Sequence, residues 1–227
     1  MLSKLTNKRS SRHIVFIMTI GVLALGALRY MVKNDRCGTV VILNGPSAVG
    51  KSSIMRAFQK KHNDVWLGIG IDNFFVGVLP SKFYLEDKPE HYTVMRGVGS
   101  EDDEGKLFTL HIGDQGQKVI KGMHRAIAAY ARAGNNVLVD YIMYDQAWLK
   151  DLQSSLAGIP VISVGLTASL PTLELREKTR GTSPEGHARS IYHSVHYGWN
   201  YDIKINTDEV MPDQIVDVID HYIENKR

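Results

Sequence analysis

The sequence predicts an α/β fold: a parallel sheet with helices on both faces, preceded by an N-terminal hydrophobic helix. Three observations carry this expectation. Short β-branched runs alternate with helix-spaced segments. A glycine-bounded loop joins the first such run to the first such segment. An uncharged apolar stretch, Ile14 to Leu28, stands ahead of both. With 227 residues, 44% of them hydrophobic and 22% charged, the chain has the size and composition of one globular domain with a tail. It divides into a basic N-terminus with a hydrophobic anchor or targeting segment, residues 1–36, and a body, residues 37–227.

The single cysteine, Cys37, excludes an intramolecular disulfide framework and a cysteine-based zinc site. Charge is unevenly placed. Within residues 1–36, Lys4, Lys8, Arg9, Arg12, Arg29, Lys33 and Arg36 face only Asp35, so a chain of net charge +3 has a body that is net acidic. No nucleic-acid partner is expected of such a surface.

Ile14 to Leu28 would reach roughly 22 Å as a helix, short of the roughly 30 Å hydrocarbon core of a bilayer. Continuation through Val32 closes the gap if Arg29 snorkels to the headgroups. A single-span membrane anchor is the first reading. A cleaved signal peptide, with Ala24-Leu25-Gly26 near the cut, and a mitochondrial-type presequence, with no acid before Asp35, are the alternatives. Basic residues flank both sides of the run, so its orientation stays open.

The body reads in order. Residues 39–43 form a buried strand, 52–61 a helix and 65–71 a second strand. Residues 76–112 hold Pro80, Pro89, the acids Glu101 to Glu104 and a hairpin around Gly105. Val119, Ile120, Met123 and Ile127 give residues 114–133 helical spacing, closed by Gly134. Strands follow at 137–139 and 161–166, then a helix at 170–179 and a polar stretch at 180–186. A short strand at 203–205 and an amphipathic helix at 213–224 complete the chain. No internal repeat is present.

Gly45-Pro46-Ser47-Ala48-Val49-Gly50-Lys51-Ser52 matches G-x-x-x-x-G-K-[ST] at every fixed position, with Ser53 beyond it. The glycines let the backbone curl so that amides point inward at phosphate oxygens. Lys51 reaches β- and γ-phosphates, the Ser52 hydroxyl ligates Mg²⁺, and the helix that follows adds its positive end. Asp140 closes the apolar run Val137-Leu138-Val139 as a Walker B acid would, holding Mg²⁺ or its water. Asp72, at the end of the second strand, either takes a proton from a substrate hydroxyl or caps a helix at 73–76. Arg176, Arg180 and Arg189 flank the polar stretch, where a lid would neutralise charge developing on a transferred phosphoryl group. His193 and His196 lack metal-binding spacing, so a zinc site is not expected.

The segments VILNGPSAVGKSSIMRAFQ, WLGIGIDNFF, VLVDYIMYD, VGLTASLPTLELREKTRG and SVHYGWNYDIKINT together resemble the chloramphenicol phosphotransferase-like family of P-loop kinases, in order and in spacing. The resemblance implies a P-loop kinase-type sheet, with ATP phosphates bound by Gly45 to Ser52. It implies that Asp72 is the general base for the acceptor hydroxyl, and that Arg176 and Arg180, from the family's E-x-R-E-x-x-R-G stretch, clamp phosphate. The family commonly reads R-G-D-R where this chain has Arg180-Gly181-Thr182-Ser183, which leaves Arg189 as the candidate replacement for one lid arginine. The phosphate loop also resembles that of guanylate kinases.

The expected activity is ATP-dependent transfer of the γ-phosphate to a hydroxyl of a small molecule, with ATP and Mg²⁺ as cofactors. The alternatives are a guanylate-type nucleotide kinase and a membrane-tethered nucleotide-binding module without kinase activity. The membrane is the second expected partner, through the N-terminal helix, with the kinase body on an ATP-containing side.

Overall fold

The structure, a computed structural model, describes residues 37–80, 83 and 93–226. In chain order its elements are β1 (Val40–Asn44), α1 (Lys51–Lys61), β2 (Trp66–Gly70), α2 (Ile71–Phe75), β3 (Met95–Asp102), β4 (Gly105–Ile112), α3 (Asp114–Arg132), β5 (Asn136–Tyr141), α4 (Gln146–Ser155), β6 (Val161–Thr167), α5 (Leu170–Arg180), α6 (His187–Ile191), β7 (Ile203–Asn206) and α7 (Pro212–Lys226). Five strands make one parallel sheet in the order β2-β5-β1-β6-β7, and β3 and β4 form a separate antiparallel hairpin.

Alternation along each strand splits the core in two. Val40 and Ile42, with Val137, Val139 and Tyr141, pack under α3 (Ile120, Met123, Ile127) and α4 (Trp148, Leu152). Val41 and Leu43, with Leu138, Ile162, Val164 and Leu166, pack against α1 (Ile54, Phe58), α5 (Leu173) and α7 (Ile215, Ile219). All five residues of β1 are buried, as a central strand covered on both faces requires. Each such Val, Ile or Leu contributes roughly 1.5–3 kcal/mol by burial. The expected parallel sheet with helices on both faces is what forms.

The hairpin turns at Gly105, where sequence placed it, with Met95 opposite Ile112 and Asp102 opposite Gly105. Asp102 Oδ1 accepts the amides of Glu104 (2.9 Å) and Gly105 (3.0 Å), which shapes the turn. Its β4 strand leans on α6: Phe108 N–H donates to Gly186 C=O (3.2 Å) and Ser190 Oγ–H to Phe108 C=O (2.7 Å).

The second strand expected at 65–71 ends early, at Gly70. Asn73 Oδ1 accepts the Gly70 amide at 2.6 Å, so the chain turns into the short helix α2 there and Asp72 lies in its first turn. Two helices lie outside the sequence expectations. In α4, Asp145 caps the Ala147 amide (2.9 Å) and Trp148, Leu149 and Leu152 face the core. In α6, five residues are organised by a contact from another helix, described below. The hydrophobic helix expected at the N-terminus, and the anchor built on it, fall on residues 1–36, outside the described residues. Among the described residues no helix is long and apolar enough to cross a membrane.

Candidate active site

In a parallel sheet the carboxyl ends of the strands share one edge, and ligands bind in the crevice beyond them. Here β1 runs out into residues 45–50, β5 delivers Asp140, and β2 turns into Asp72, while β5 lies between β2 and β1. The sheet order therefore gathers three sequence-distant segments at one edge.

The phosphate loop curls through left-handed residues, Ala48 (φ 60°) and Gly50 (φ 102°). For Ala48 that conformation costs about 1 kcal/mol, strain held at a ligand loop by its surroundings. Gly45 sits hard against β6: a Cβ there would lie 2.5 Å from the Leu166 carbonyl oxygen. Pro46, Ser47 and Val49 are buried, and Ser53 lies within the first turn of α1.

Lys51, only 5% exposed, donates from Nζ to the carbonyls of Gly45 and Pro46, each at 2.9 Å. Its Nζ also stands 3.7 Å from Asp140 Oδ1. Burial pushes the ammonium below its ordinary pKa, and the Asp140 carboxylate pulls against that shift. Ser52 Oγ–H donates to Asp140 Oδ2 at 3.0 Å, so a hydroxyl and a carboxylate oxygen converge beside the lysine. Asp72 is exposed at the same edge and feels Asp140, Lys51 and Arg180. Desolvation, then repulsion from Asp140, raises its carboxyl above the usual aspartate value against the attraction of the two cations.

Of the expected lid arginines, Arg180 reaches the loop: Nη2 donates to Ser47 Oγ (3.2 Å) and to Ser183 Oγ (2.5 Å). Arg176, one turn earlier on α5, is forked onto Thr207, Nη1 to Oγ1 and Nη2 to the carbonyl, both at 2.9 Å. Arg189 is engaged by Glu174 (2.7 Å) and by Glu104 at the hairpin tip (3.4 Å), and so serves as a clasp between α5, α6 and the hairpin.

Four residues of this edge carried no assignment from sequence. Glu177, 2% exposed, accepts the amides of Gly186 (2.9 Å) and Ala188 (3.0 Å), pinning the start of α6 to α5. His187, between those amides, shares a 2.9 Å hydrogen bond with the Tyr144 hydroxyl, and burial with the nearby charges of Lys51 and Arg180 lowers its pKa to about 4. Asn44, fully buried, immediately precedes Gly45. Glu177 lies inside the E-x-R-E-x-x-R-G stretch, the one sequence signal that bears on it. For His187, Tyr144 and Asn44 only the fold supplies the partners.

A parallel five-stranded sheet with a phosphate loop at its edge, an acid on the neighbouring strand and an arginine reaching that loop from a helix end is a P-loop kinase-type fold. The family model described as chloramphenicol phosphotransferase-like protein matches residues 38–224, and the chain belongs to that family. A Mycobacterium tuberculosis protein named "Putative O-phosphotransferase" is 33% identical over 171 residues, 75% of each chain. A guanylate kinase of Caldanaerobacter subterraneus is 24% identical over 179 residues, 76% of this chain and 81% of that one. Among solved structures, the M. tuberculosis APS kinase in complex with AMPPNP and APS superposes with a TM-score of 0.55 at 17% identity, over 83% of this chain and 98% of its own, a likeness of fold.

Proposed function

We propose that the chain is an ATP-dependent O-phosphotransferase that moves the γ-phosphate to a hydroxyl of a small molecule. The observation that carries the reading is Asp72: a carboxyl raised in pKa, at the edge of the cleft, within electrostatic reach of Lys51, Asp140 and Arg180. A carboxylate so placed takes the acceptor's hydroxyl proton as that oxygen bonds to the γ-phosphorus and the bond to the β–γ bridging oxygen breaks. Family membership, the named relative and the kinase fold support the same reaction class.

The rest of the edge has matching parts. The backbone N–H groups of residues 47–52 cradle the triphosphate, Lys51 leaves its carbonyl partners to meet the β- and γ-phosphates, and Arg180 covers them from the lid. Arg176, whose two terminal nitrogens are held on Thr207, would have to leave that seat to join the clamp. Ser52 Oγ and Asp140, already 3.0 Å apart, form an oxygen pair that suits Mg²⁺. Among the described residues no set of three or more His, Cys, Asp or Glu makes a closed metal site, so the remaining ligands would be water and phosphate. The cation would supply neutralisation of phosphate charge.

A second reading, a nucleotide kinase, is favoured by the likeness to the guanylate kinase. One experiment separates them. The protein is incubated with Mg²⁺, ATP and metabolite extract, and in parallel with each nucleoside monophosphate, and products are read by mass spectrometry. A hydroxyl metabolite gaining one phosphate, absent with Asp72→Asn, upholds the first reading. Diphosphate from a monophosphate replaces it with the second. For the N-terminal run, 14–28, we propose a membrane anchor with the body on an ATP-containing side. Release of the full-length protein from membranes by alkaline carbonate would refute that.

A further inference from the structure

We infer that Asn44 is a positioning residue that ties the root of the phosphate loop to the lid through Val195, with its amide held in place by Tyr201, so that seating the nucleotide and seating the lid are one event. The inference rests on the proposal that residues 45–52 bind nucleotide, and it concerns the stretch Val195 to Asp202, which that proposal leaves without a task.

The geometry is a set of hydrogen bonds that fan out from the loop's root. Asn44 is the last residue of β1, and all three of its side-chain hydrogen bonds run to segments distant in sequence. Nδ2 donates to the Val195 carbonyl at 2.8 Å and to Tyr201 Oη at 2.6 Å, and Oδ1 accepts the Met143 amide at 3.2 Å. Val195 is the continuation of the lid: its own amide donates to Ile191 C=O at 3.0 Å, one turn beyond the end of α6. Met143 immediately precedes Tyr144, whose hydroxyl meets His187 at the start of α6. One amide thus touches both ends of the lid's return limb, the second through the adjoining Met143–Tyr144 segment.

The hydrogen bonds also have a direction. With Tyr201 Oη accepting from Asn44, its proton goes to His196 Nδ1, 2.8 Å away. That tautomer is assigned from the partners. The chain of donors therefore begins at Asn44, one residue before the loop, and ends on His196. Tyr201 has little room to shift. Its ring lies on Gly165, where a Cβ would come within 2.6 Å, and stacks on Trp199 at 5.2 Å and 3°. Trp199 in turn donates to Met143 Sδ at 3.0 Å. A displacement of Tyr201 is transmitted to both the loop root and the segment leading to the lid.

A packing amide and a positioning amide differ in what their loss changes. The test uses the full chain, AMPPNP with Mg²⁺ as probe, and Tyr201→Phe, which removes one hydroxyl and keeps the ring. Asn44→Ala and the double variant complete a cycle. Expected for Tyr201→Phe are an about tenfold weaker Kd for AMPPNP and loss of the AMPPNP-induced protection of Lys178, Arg180 and Arg189 against trypsin. In the cycle the two losses should not add. A folded Tyr201→Phe protein with a lowered Tm but wild-type Kd and wild-type nucleotide-dependent lid protection would overturn the inference. So would strictly additive losses in the cycle. Should Asn44→Ala fail to fold, the Tyr201→Phe comparison decides alone. A wild-type chain that bound no AMPPNP would overturn the nucleotide reading and the inference with it. Nucleotide binding weakened as expected, in a chain that phosphorylated no acceptor, would uphold the inference and refute only the proposed transfer.

Discussion

Asp72 has more than one acid-sensitive consequence. A carboxyl whose folded pKa lies above its unfolded value binds more protons folded than unfolded just above the ordinary aspartate range, so its ionisation works against stability as pH rises. Asp72→Asn should therefore leave the Tm unchanged or raise it while cutting turnover by about 10²- to 10⁴-fold, with AMPPNP affinity kept. A loss of Tm parallel to the loss of turnover would assign Asp72 to the scaffold. The same shift sets the pH profile. The rate should rise with pH along an acid limb displaced above the usual aspartate value, and Asp72→Asn should erase that limb. His187 gives the second pH prediction, with the sign worked the same way. Its folded pKa of about 4 lies below the ordinary 6.5, so between those values the unfolded chain binds the proton and the folded one does not. The stability it contributes is present above about 6.5 and is lost as pH falls toward 4. Comparison of denaturation midpoints at pH 5 and 7 should show a smaller difference in His187→Gln than in the wild type. Of these two residues Asp72 was singled out from the sequence, by its place just after the second apolar run and beside a phosphate loop. His187 was not, because nothing local marks a histidine whose partners are Tyr144 and the charges of Lys51 and Arg180.

Among the elements, those whose signal is local were readable and those organised by a distant partner were not. The strands β1, β5 and β6 announce themselves as β-branched runs, and α3 by helical spacing with Gly134 after it. The helix α6 has only five residues, too few to nucleate on propensity, and it exists because Glu177 on α5 accepts two amides around its first residue. Likewise β2 yields to α2 at Gly70 because the Asn73 side chain, three residues on, intercepts the Gly70 amide. Glu177 is therefore the residue on which the lid depends. Replacing it with Ala leaves the Gly186 and Ala188 amides without their buried carboxylate and should cost about 3 kcal/mol. The cost should fall unevenly. Hydrogen exchange should accelerate in residues 183–195 more than in β1 or β5, because the lid is fastened through this carboxylate and the sheet is not. Uniform acceleration would show that α6 is an integral part of the core and that Glu177 supports the whole domain.

At the scale of the molecule, the order β2-β5-β1-β6-β7 is what brings Asp72, Asp140 and the phosphate loop to one edge, and no single motif in the chain encodes that order. Alternating strands and helices predict a parallel sheet, but adjacency of β2 to β5, across more than 60 residues, is decided by packing on both faces. The face carrying α1, α5 and α7 is closed by the last helix, and Asp202 is the fastening. Its carboxylate accepts the amide and the hydroxyl of Ser163 on β6, both at 2.8 Å, together with Tyr222 Oη (2.7 Å) and Lys226 Nζ (2.8 Å) on α7. Although desolvation pushes the other way, these donors, Lys226 foremost, hold its pKa down to about 2. Depressed below the ordinary 3.8, the group contributes stability that is complete above that value and is lost as pH falls from about 4 to 2. Asp202 is also the residue after Tyr201, so release of α7 and loosening of the loop's root share one hinge in the chain. Asp202→Asn should lower the Tm at pH 7, where the wild-type carboxylate is ionised and fully bonded, and should flatten the steep loss of stability that the wild type shows between pH 4 and 2. If acid unfolding of the two proteins proved parallel across that window, the fastening would have to be sought elsewhere on α7, with Lys61 and its partners Asp217 and Asp220 on the neighbouring helix the next ion pairs to test.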